Sequence, residues 1–198
     1  LILKNPFYFV AFFIVIIIRI IKPLYLIRIH TLYDRLGHLA GNTELYLCEM
    51  DERGNKSRFV DLFYFPRKPC NQQLARMWKR ELIILPWFFL RPMDLIIRSF
   101  DFLSSFYADE AKGHDIDVND LYSKYPPHLQ FTPEEHMHGE SILRDMGVPE
   151  GSPFVCIIVR DDAYLKDIYS ESDNPNYDDY RNCDVQNYIL AAEELAER

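Results

Sequence analysis

RFVDLFYFPRKPCNQQLARMWKRELIILP, residues 58–86, reads as strand, helix and strand in turn. Arg58–Phe65 is rich in aromatic and β-branched residues and is closed by Pro66, as a strand would be. Asn71–Glu81 places Leu74, Met77 and Trp78 on one helical face. Leu82–Leu85 is a short apolar run ended by Pro86. Strand, helix and strand at this spacing predict a parallel sheet covered by helices, an α/β fold.

The same alternation continues outward. Leu24–Ile29 (LYLIRI) reads as a buried strand upstream, and Asn42 or Thr43 opens a short helix with Glu44 in its first turn. Gly54-Asn55 makes a turn. Trp87–Ser105 alternates apolar and polar residues at helical spacing, and Ala108–Asp120 is a polar, acidic loop. Thr132-Pro133-Glu134-Glu135 is a capping box that opens a helix running to about Met146, with Gly147 as its stop. Phe154–Val159 (FVCIIV) is fully apolar, as strands buried on both faces are. Asp184–Glu197 is a last helix whose apolar face carries Val185, Tyr188, Ile189, Ala192, Leu195 and Ala196.

One strand and one helix cannot cover a sheet. The chain is therefore expected to be the front part of a two-domain protein, with a first domain over 23–148 and the start of a second over 149–198. Residues 1–22 stand apart from both. Phe7–Ile18 is an unbroken apolar run, too short for a ~30 Å hydrocarbon core if it is a helix at ~1.5 Å per residue. It reads as a membrane anchor, an interfacial helix with Arg19 snorkelling outward, or a buried core element. No small-residue cleavage pattern marks it as a signal peptide. Arg19, Lys22 and Arg28 after it, against Lys4 before it, place the downstream chain on the cytoplasmic side.

Charge is unevenly distributed. Residues 1–100 carry 15 Lys and Arg against 8 Asp and Glu, and the remainder carries 7 against 22. A basic front half suits an anionic lipid surface or acceptor, and an acidic back half argues against nucleic acid as a partner. Cys48, Cys70, Cys156 and Cys183 form no C-x-x-C pair and read as reduced, partly buried thiols of a cytoplasmic protein.

Candidate chemistry sits after the strands, because open α/β sheets bind ligands at their carboxyl ends. Asp34-Arg35-Leu36-Gly37-His38 follows the first strand as a loop. Gly37 would allow close backbone approach and His38, or a nearby carboxylate such as Asp34, would act as a general base. Arg160-Asp161, with Tyr164, follows Phe154–Val159, and a guanidinium there can hold a diphosphate. In Tyr177–Asp184, Asn182 or Asp184 caps the final helix, and Arg181 at its start suits a shared anion. His136-Met137-His138 with Glu140 lacks a third ligand at metal spacing, so no metal is expected. Gly-rich nucleotide loops are absent, which argues against a dinucleotide-dependent epimerase.

IRIHTLYDRLGHLAGNTELYL, LQFTPEEHMHGESILRDMGVP, FVCIIVRDDAYL and YDDYRNCDVQNYILAAEEL occur in an order and spacing that resemble a family of bacterial glycosyltransferases of surface-polysaccharide gene clusters. That family resembles fucosyltransferase-type enzymes of the GT-B arrangement, with two Rossmann-like domains facing a cleft. The resemblance implies a nucleotide-sugar donor, no cofactor, and a glycan or lipid-linked acceptor. It places Arg160 on the donor diphosphate and has Arg35, Gly37 and His38 line the cleft from the first domain; Asp161, Tyr164, Arg181 and Asn182 join Arg160 as donor-side candidates through their positions in the chain. The family pattern has a His in the loop where Asp178 and its neighbours stand. The competing reading is a non-catalytic, membrane-associated α/β scaffold.

Overall fold

Leu26–Thr31 forms β1, Phe59–Tyr64 forms β2 and Ile83–Ile84 forms β3, lying side by side in that order and all parallel. The computed structural model describes residues 6–22, 26–54, 59–106, 116–161, 163 and 182–197. Parallel neighbours need a crossover, and the chain supplies α2 (Thr43–Arg53) between β1 and β2 and α3 (Gln72–Glu81) between β2 and β3. Tyr46 of α2 and Trp78 of α3 pack with Leu32, Leu39 and Phe63 on one face of the sheet. On the opposite face lie α1 (Pro6–Ile21), α4 (Trp87–Arg98) and a 3-10 turn, Asp101–Phe106. Ala11, Val15, Ile18, Leu90, Met93, Ile97 and Phe106 pack there with Ile29 and Tyr64. The result is a helix–sheet–helix arrangement, the α/β class that the alternation predicts, compatible with a Rossmann-like unit.

The period of the strands decides which side chain goes where. Successive residues point to opposite faces, so Ile29 meets the α1/α4 layer while Arg28 and His30 meet the α2/α3 layer. Arg28 and Asp61 are directly opposed in the β1–β2 register. Arg28 Nε donates to Asp61 Oδ1 at 2.6 Å, and its terminal nitrogen donates to Asp61 Oδ2 at 2.8 Å and to the Tyr46 hydroxyl at 2.9 Å. His30, fully buried, stacks on Phe63 and sets Nε2 2.9 Å from Asp61 Oδ1. Burial by itself would push the Asp61 carboxyl up. The hydrogen bonds from His30, Arg28 and Tyr46 outweigh it and hold its pKa well below the usual carboxylate range.

A second buried carboxylate ties the other layer down. Asp94 of α4 accepts from the Tyr64 hydroxyl at 2.9 Å and from Arg98 Nε at 2.7 Å. Burial first, and the Asp94 charge with it, push the Tyr64 phenol up to about 12.

α1 resolves the alternatives for the apolar run in part. One stripe of it is core, while Phe9, Val10, Phe13, Ile17 and Ile20 on the other side stay exposed. Among the described residues no helix is long and apolar enough to cross a membrane. Arg19, at the exposed end of the helix, is tied to the 3-10 turn. It donates to the Phe102 carbonyl at 3.3 Å and lies over the Phe102 ring, while Lys22 donates to Ser105 Oγ at 2.8 Å. The helical reading of Trp87–Ser105 divides at Ser99, where α4 gives way to the 3-10 turn.

Residues 1–132 and 133–198 form separate compact units, where the sequence reading draws the line after residue 148. In the second unit α6 (Pro133–Asp145) begins at the expected proline; the four-residue α5 (Leu121–Lys124) precedes it in the chain. The end of α6 is a Schellman stop. Gly147, at φ +89, donates to Arg144 O, and Val148 donates to Leu143 O. Phe154–Val159 departs from expectation. No strand pairs with it among the described residues, and Phe154, Val155, Ile157 and Ile158 are exposed. An apolar run becomes a β-strand only when a neighbour supplies ladder partners. Cys156 and Cys183 are likewise exposed rather than partly buried, and all four cysteines are free. The last helix is split into a 3-10 turn, Val185–Tyr188, and α7 (Ile189–Ala196), and the Asp184 side chain caps it by accepting from Gln186 N.

Removing one partner from a buried pair leaves an uncompensated charge, at a cost of about 3–5 kcal/mol. Asp61→Ala is therefore expected to lower the free energy of denaturant unfolding by that amount. Because the folded Asp61 pKa is depressed, its contribution is complete above an unfolded carboxylate value of ~3.9 and is lost as pH falls below it. Unfolding at pH 7 and pH 3 should show the wild-type advantage over Asp61→Ala shrinking in acid. An equal gap at both pH values counts against this assignment.

Candidate functional site at the carboxyl edge of the sheet

All three strands end at one edge, and the segments leaving them meet there. Leu32 N–H donates to Tyr64 O and Leu85 N–H to Phe63 O, so the pairing runs on past the strand ends before the chain turns away. After β2 come Phe65, Pro66, Arg67 and Lys68, and after β3 come Leu85, Pro86 and Trp87. With Lys79 and Ile84 these residues line an open cleft of about 590 Å³. Its lining carries Arg67, Lys68 and Lys79 and no acidic residue. The prolines explain its shape, since Pro66 and Pro86 stop each strand and turn the backbone outward. Asn71 then caps α3, its side chain accepting from Leu74 N at 2.8 Å.

The Asp34–His38 segment leaves β1 at this edge, but not as a loop. The chain enters a helical turn at Leu36, and Leu39 N–H donates to Arg35 O at 2.8 Å. Gly37 has φ −60, an ordinary helical value, and a Cβ added there would meet nothing within 4 Å. The backbone here makes no use of the left-handed conformations open to glycine. The helix then widens into a π-helical turn, His38–Asn42, before α2. Such turns are frequent at functional sites. Here the Leu39 carbonyl accepts from the buried Trp78 indole at 2.9 Å, and the Gly41 carbonyl accepts from the Tyr122 hydroxyl at 2.7 Å.

The π turn sets His38 against Tyr33, ring centroids 5.4 Å apart, and brings its Nδ1 to 3.2 Å from the buried Asn42 amide. The amide nitrogen donating to Nδ1 keeps the imidazole proton on Nε2. The flipped amide, accepting from Nδ1–H, frees Nε2 to take a proton. Asn42 is thus the positioning partner of the expected base. Asp34 bears on Cys70, linking the segments after β1 and β2. Burial chiefly raises the Cys70 thiol pKa, and the Asp34 charge adds to it.

The remaining candidates lie in the second unit. Arg160 and Asn182 come together there: Cys183 N–H donates to Arg160 O at 2.9 Å, and both Arg160 and Asn182 are half-buried. Asp161 Oδ1 accepts from Ala163 N–H at 3.1 Å, an Asx turn. Tyr164 and Arg181, with the Tyr177–Tyr180 stretch, lie outside the described residues. His136 Nδ1 and Glu140 Oε1 pair at 3.3 Å on the exposed face of α6.

Sequence reasoning passed over Arg67, Lys68, Lys79 and Trp87. Their signal was present in the chain: basic residues beside a strand-ending proline fall at the carboxyl edge once the strands are placed. Comparison of the chain with protein-family models, with curated proteins and with solved structures returns no match.

Because Gly37 is helical and unobstructed, Gly37→Ala should stabilise the first unit by about 0.5–1 kcal/mol. Thermal unfolding checks this, and a fall in melting temperature would show that the glycine's freedom is needed after all.

Proposed function

We propose that the chain belongs to a glycosyltransferase of GT-B type, moving a sugar from a nucleotide-sugar donor to a lipid-linked, anionic acceptor at a membrane surface. The observation that carries the acceptor side is the cleft at the sheet's carboxyl edge. Three cations in a lining that includes no carboxylate, beside an indole, suit a phosphate or diphosphate joined to a sugar ring. Trp87 also begins α4, whose Phe88, Phe89 and Pro92 form, with Phe7, Val10, Ala11 and Ile14 of α1, an apolar groove of about 300 Å³. A lipid-linked phosphate has this same order, a charged head continuous with an apolar tail. The exposed aromatic residues of α1 and α4 suit an interfacial position, resting on the bilayer without spanning it.

In this reading the acceptor hydroxyl oxygen attacks the anomeric carbon of the donor, and its proton passes to His38, or to Asp34 nearby. The bond from that carbon to the diphosphate oxygen breaks, and the leaving diphosphate is held by Arg160, with Asn182, Asp161, Tyr164 and Arg181 around it. The resemblance of the sequence segments supports the role of Arg160 and the cleft position of His38, and the other roles rest on where those residues fall in the chain.

The test is transfer of labelled sugar from nucleotide sugars to lipid-diphosphate acceptors, using the full-length protein. A charged hydrogen bond contributes about 1.5–3 kcal/mol, so Arg67→Ala and Lys79→Ala should each raise the acceptor KM about 10- to 100-fold. Added salt should have a like effect on the wild type. Arg160→Ala should abolish transfer, and near-wild-type turnover there would sink the donor assignment. Flotation with anionic vesicles should carry the wild-type chain upward and a Phe9→Ser, Phe13→Ser variant less. A non-catalytic scaffold would show flotation with no transfer to any acceptor.

A further inference from the structure

The side chains that pin residues 116–129 to the outer side of α2 bring three different metal-ligating groups together. Glu44 and Cys48 stand one helical turn apart on α2, four residues being the spacing that stacks side chains on one face. Cys48 is buried with Leu45 and Leu121, and Tyr125 packs against them. Asp117 folds the incoming chain, its carboxylate accepting from Leu121 N–H at 2.8 Å and Tyr122 N–H at 2.9 Å. Tyr125 reaches Glu52 at 3.1 Å. The two prolines after it then deliver His128 directly over Glu44, 84 residues away in sequence.

His128 Nδ1 lies 3.0 Å from Glu44 Oε1, and Cys48 Sγ lies 4.0 Å from that same oxygen. One nitrogen, one sulfur and one carboxylate oxygen thus fall within 4.8 Å of one another. The other ring nitrogen, Nε2, lies 3.1 Å from Asp51 Oδ2. A neutral imidazole has one proton, which serves one of these two carboxylates and leaves a lone pair facing the other. A cation between Nδ1, Oε1 and Sγ removes that conflict, and the single proton then sits on Nε2 and is donated to Asp51. A carboxylate on the far nitrogen is the usual partner of a metal-bound histidine.

From this geometry we infer that Glu44, Cys48 and His128 bind a zinc ion, with Asp51 as the residue that orients His128. The donor set selects the ion. Calcium and magnesium take oxygen ligands, whereas a mixed sulfur, nitrogen and oxygen set suits zinc. Bond lengths of about 2.0–2.3 Å in a tetrahedron place donors roughly 3.3–3.6 Å apart. Two of the three pairs, at 3.0 and 4.0 Å, fall on either side of that spacing and the third lies within 4.8 Å, so closing the site requires the Cys48 sulfur to move in toward the other two donors. The fourth position is left to water. The bound ion would clamp residues 116–129 onto α2, next to the π turn whose Gly41 carbonyl Tyr122 already holds. The inference stands independently of the glycosyltransferase reading and departs from the sequence expectation that no metal is bound.

The test titrates zinc, and cobalt as its spectroscopic substitute, into chelator-treated full chain. One equivalent should bind and raise the melting temperature. Cobalt should give a thiolate-to-metal charge-transfer band. A Cys70→Ser, Cys156→Ser, Cys183→Ser variant keeps Cys48 as its sole thiol and should retain that band. Cys48→Ser should lose it, and His128→Gln should abolish stoichiometric binding. Asp51→Asn should weaken zinc binding about 10- to 100-fold. Absence of the band in the variant whose sole thiol is Cys48 overturns the inference, whether or not Cys48→Ser folds. So does unchanged zinc affinity in a folded Cys48→Ser.

Discussion

The bidentate contact between Arg28 and Asp61 is the constraint on which the first unit depends. It joins directly opposed residues of adjacent parallel strands. Slippage by one residue would send every side chain of the strand to the other face. It would also leave both charges without partners in a region where little water reaches them. His30 and Tyr46 extend the same contact, one from β1 and one from α2, so register and helix docking are fixed together. The segregation of the α1/α4 core from the α2/α3 core stems from that register, and so does the common edge at which the strands end.

That edge relates the two surfaces on which the functional reading rests. Trp87 is the point of contact, lining the basic cleft and opening the helix that borders the apolar groove. The prolines that stop β2 and β3 create the cleft, and apolar side chains of α1 and α4 create the groove. Both arise from local features of the chain, but only the sheet brings them next to each other. The second cluster, around His128, is built differently. It sits on the outer side of α2 and serves to close a long excursion of the chain.

The parts legible in the sequence were those with local signals. The β2–α3–β3 unit, the start of α6 and its stop at Gly147 each derive from periodicity, capping or φ preference, and these act over a few residues. The parts that escaped depend on partners distant in the chain. LYLIRI was legible as a strand, yet nothing local says that Arg28 and His30 meet Asp61, or that Glu44 and Cys48 meet His128. Phe154–Val159 is apolar enough for a buried strand, but the described residues supply no neighbour to complete its ladder. At the candidate site the position was legible, since the segment after β1 does lie at the carboxyl edge. Its conformation was misjudged, because a glycine beside charged residues signals a turn and a widened helix equally well. Asn42 and the basic residues after β2 needed the strands in place before they meant anything.

The parallel ladder also has a consequence for how the chain is made. Arg28 and Asp61 are separated by 33 residues, and among the described residues the sheet has no hairpin to nucleate it locally. During synthesis β1 emerges with half its side chains apolar and no strand to pair with until β2 has cleared the ribosome. The segment made just before β1 is α1, whose Ala11, Val15 and Ile18 pack with Ile29 of β1 in the folded unit. Contacts of such long sequence separation form slowly and leave apolar surface exposed meanwhile. The helix α1 is therefore placed to act as an early cover for the sheet.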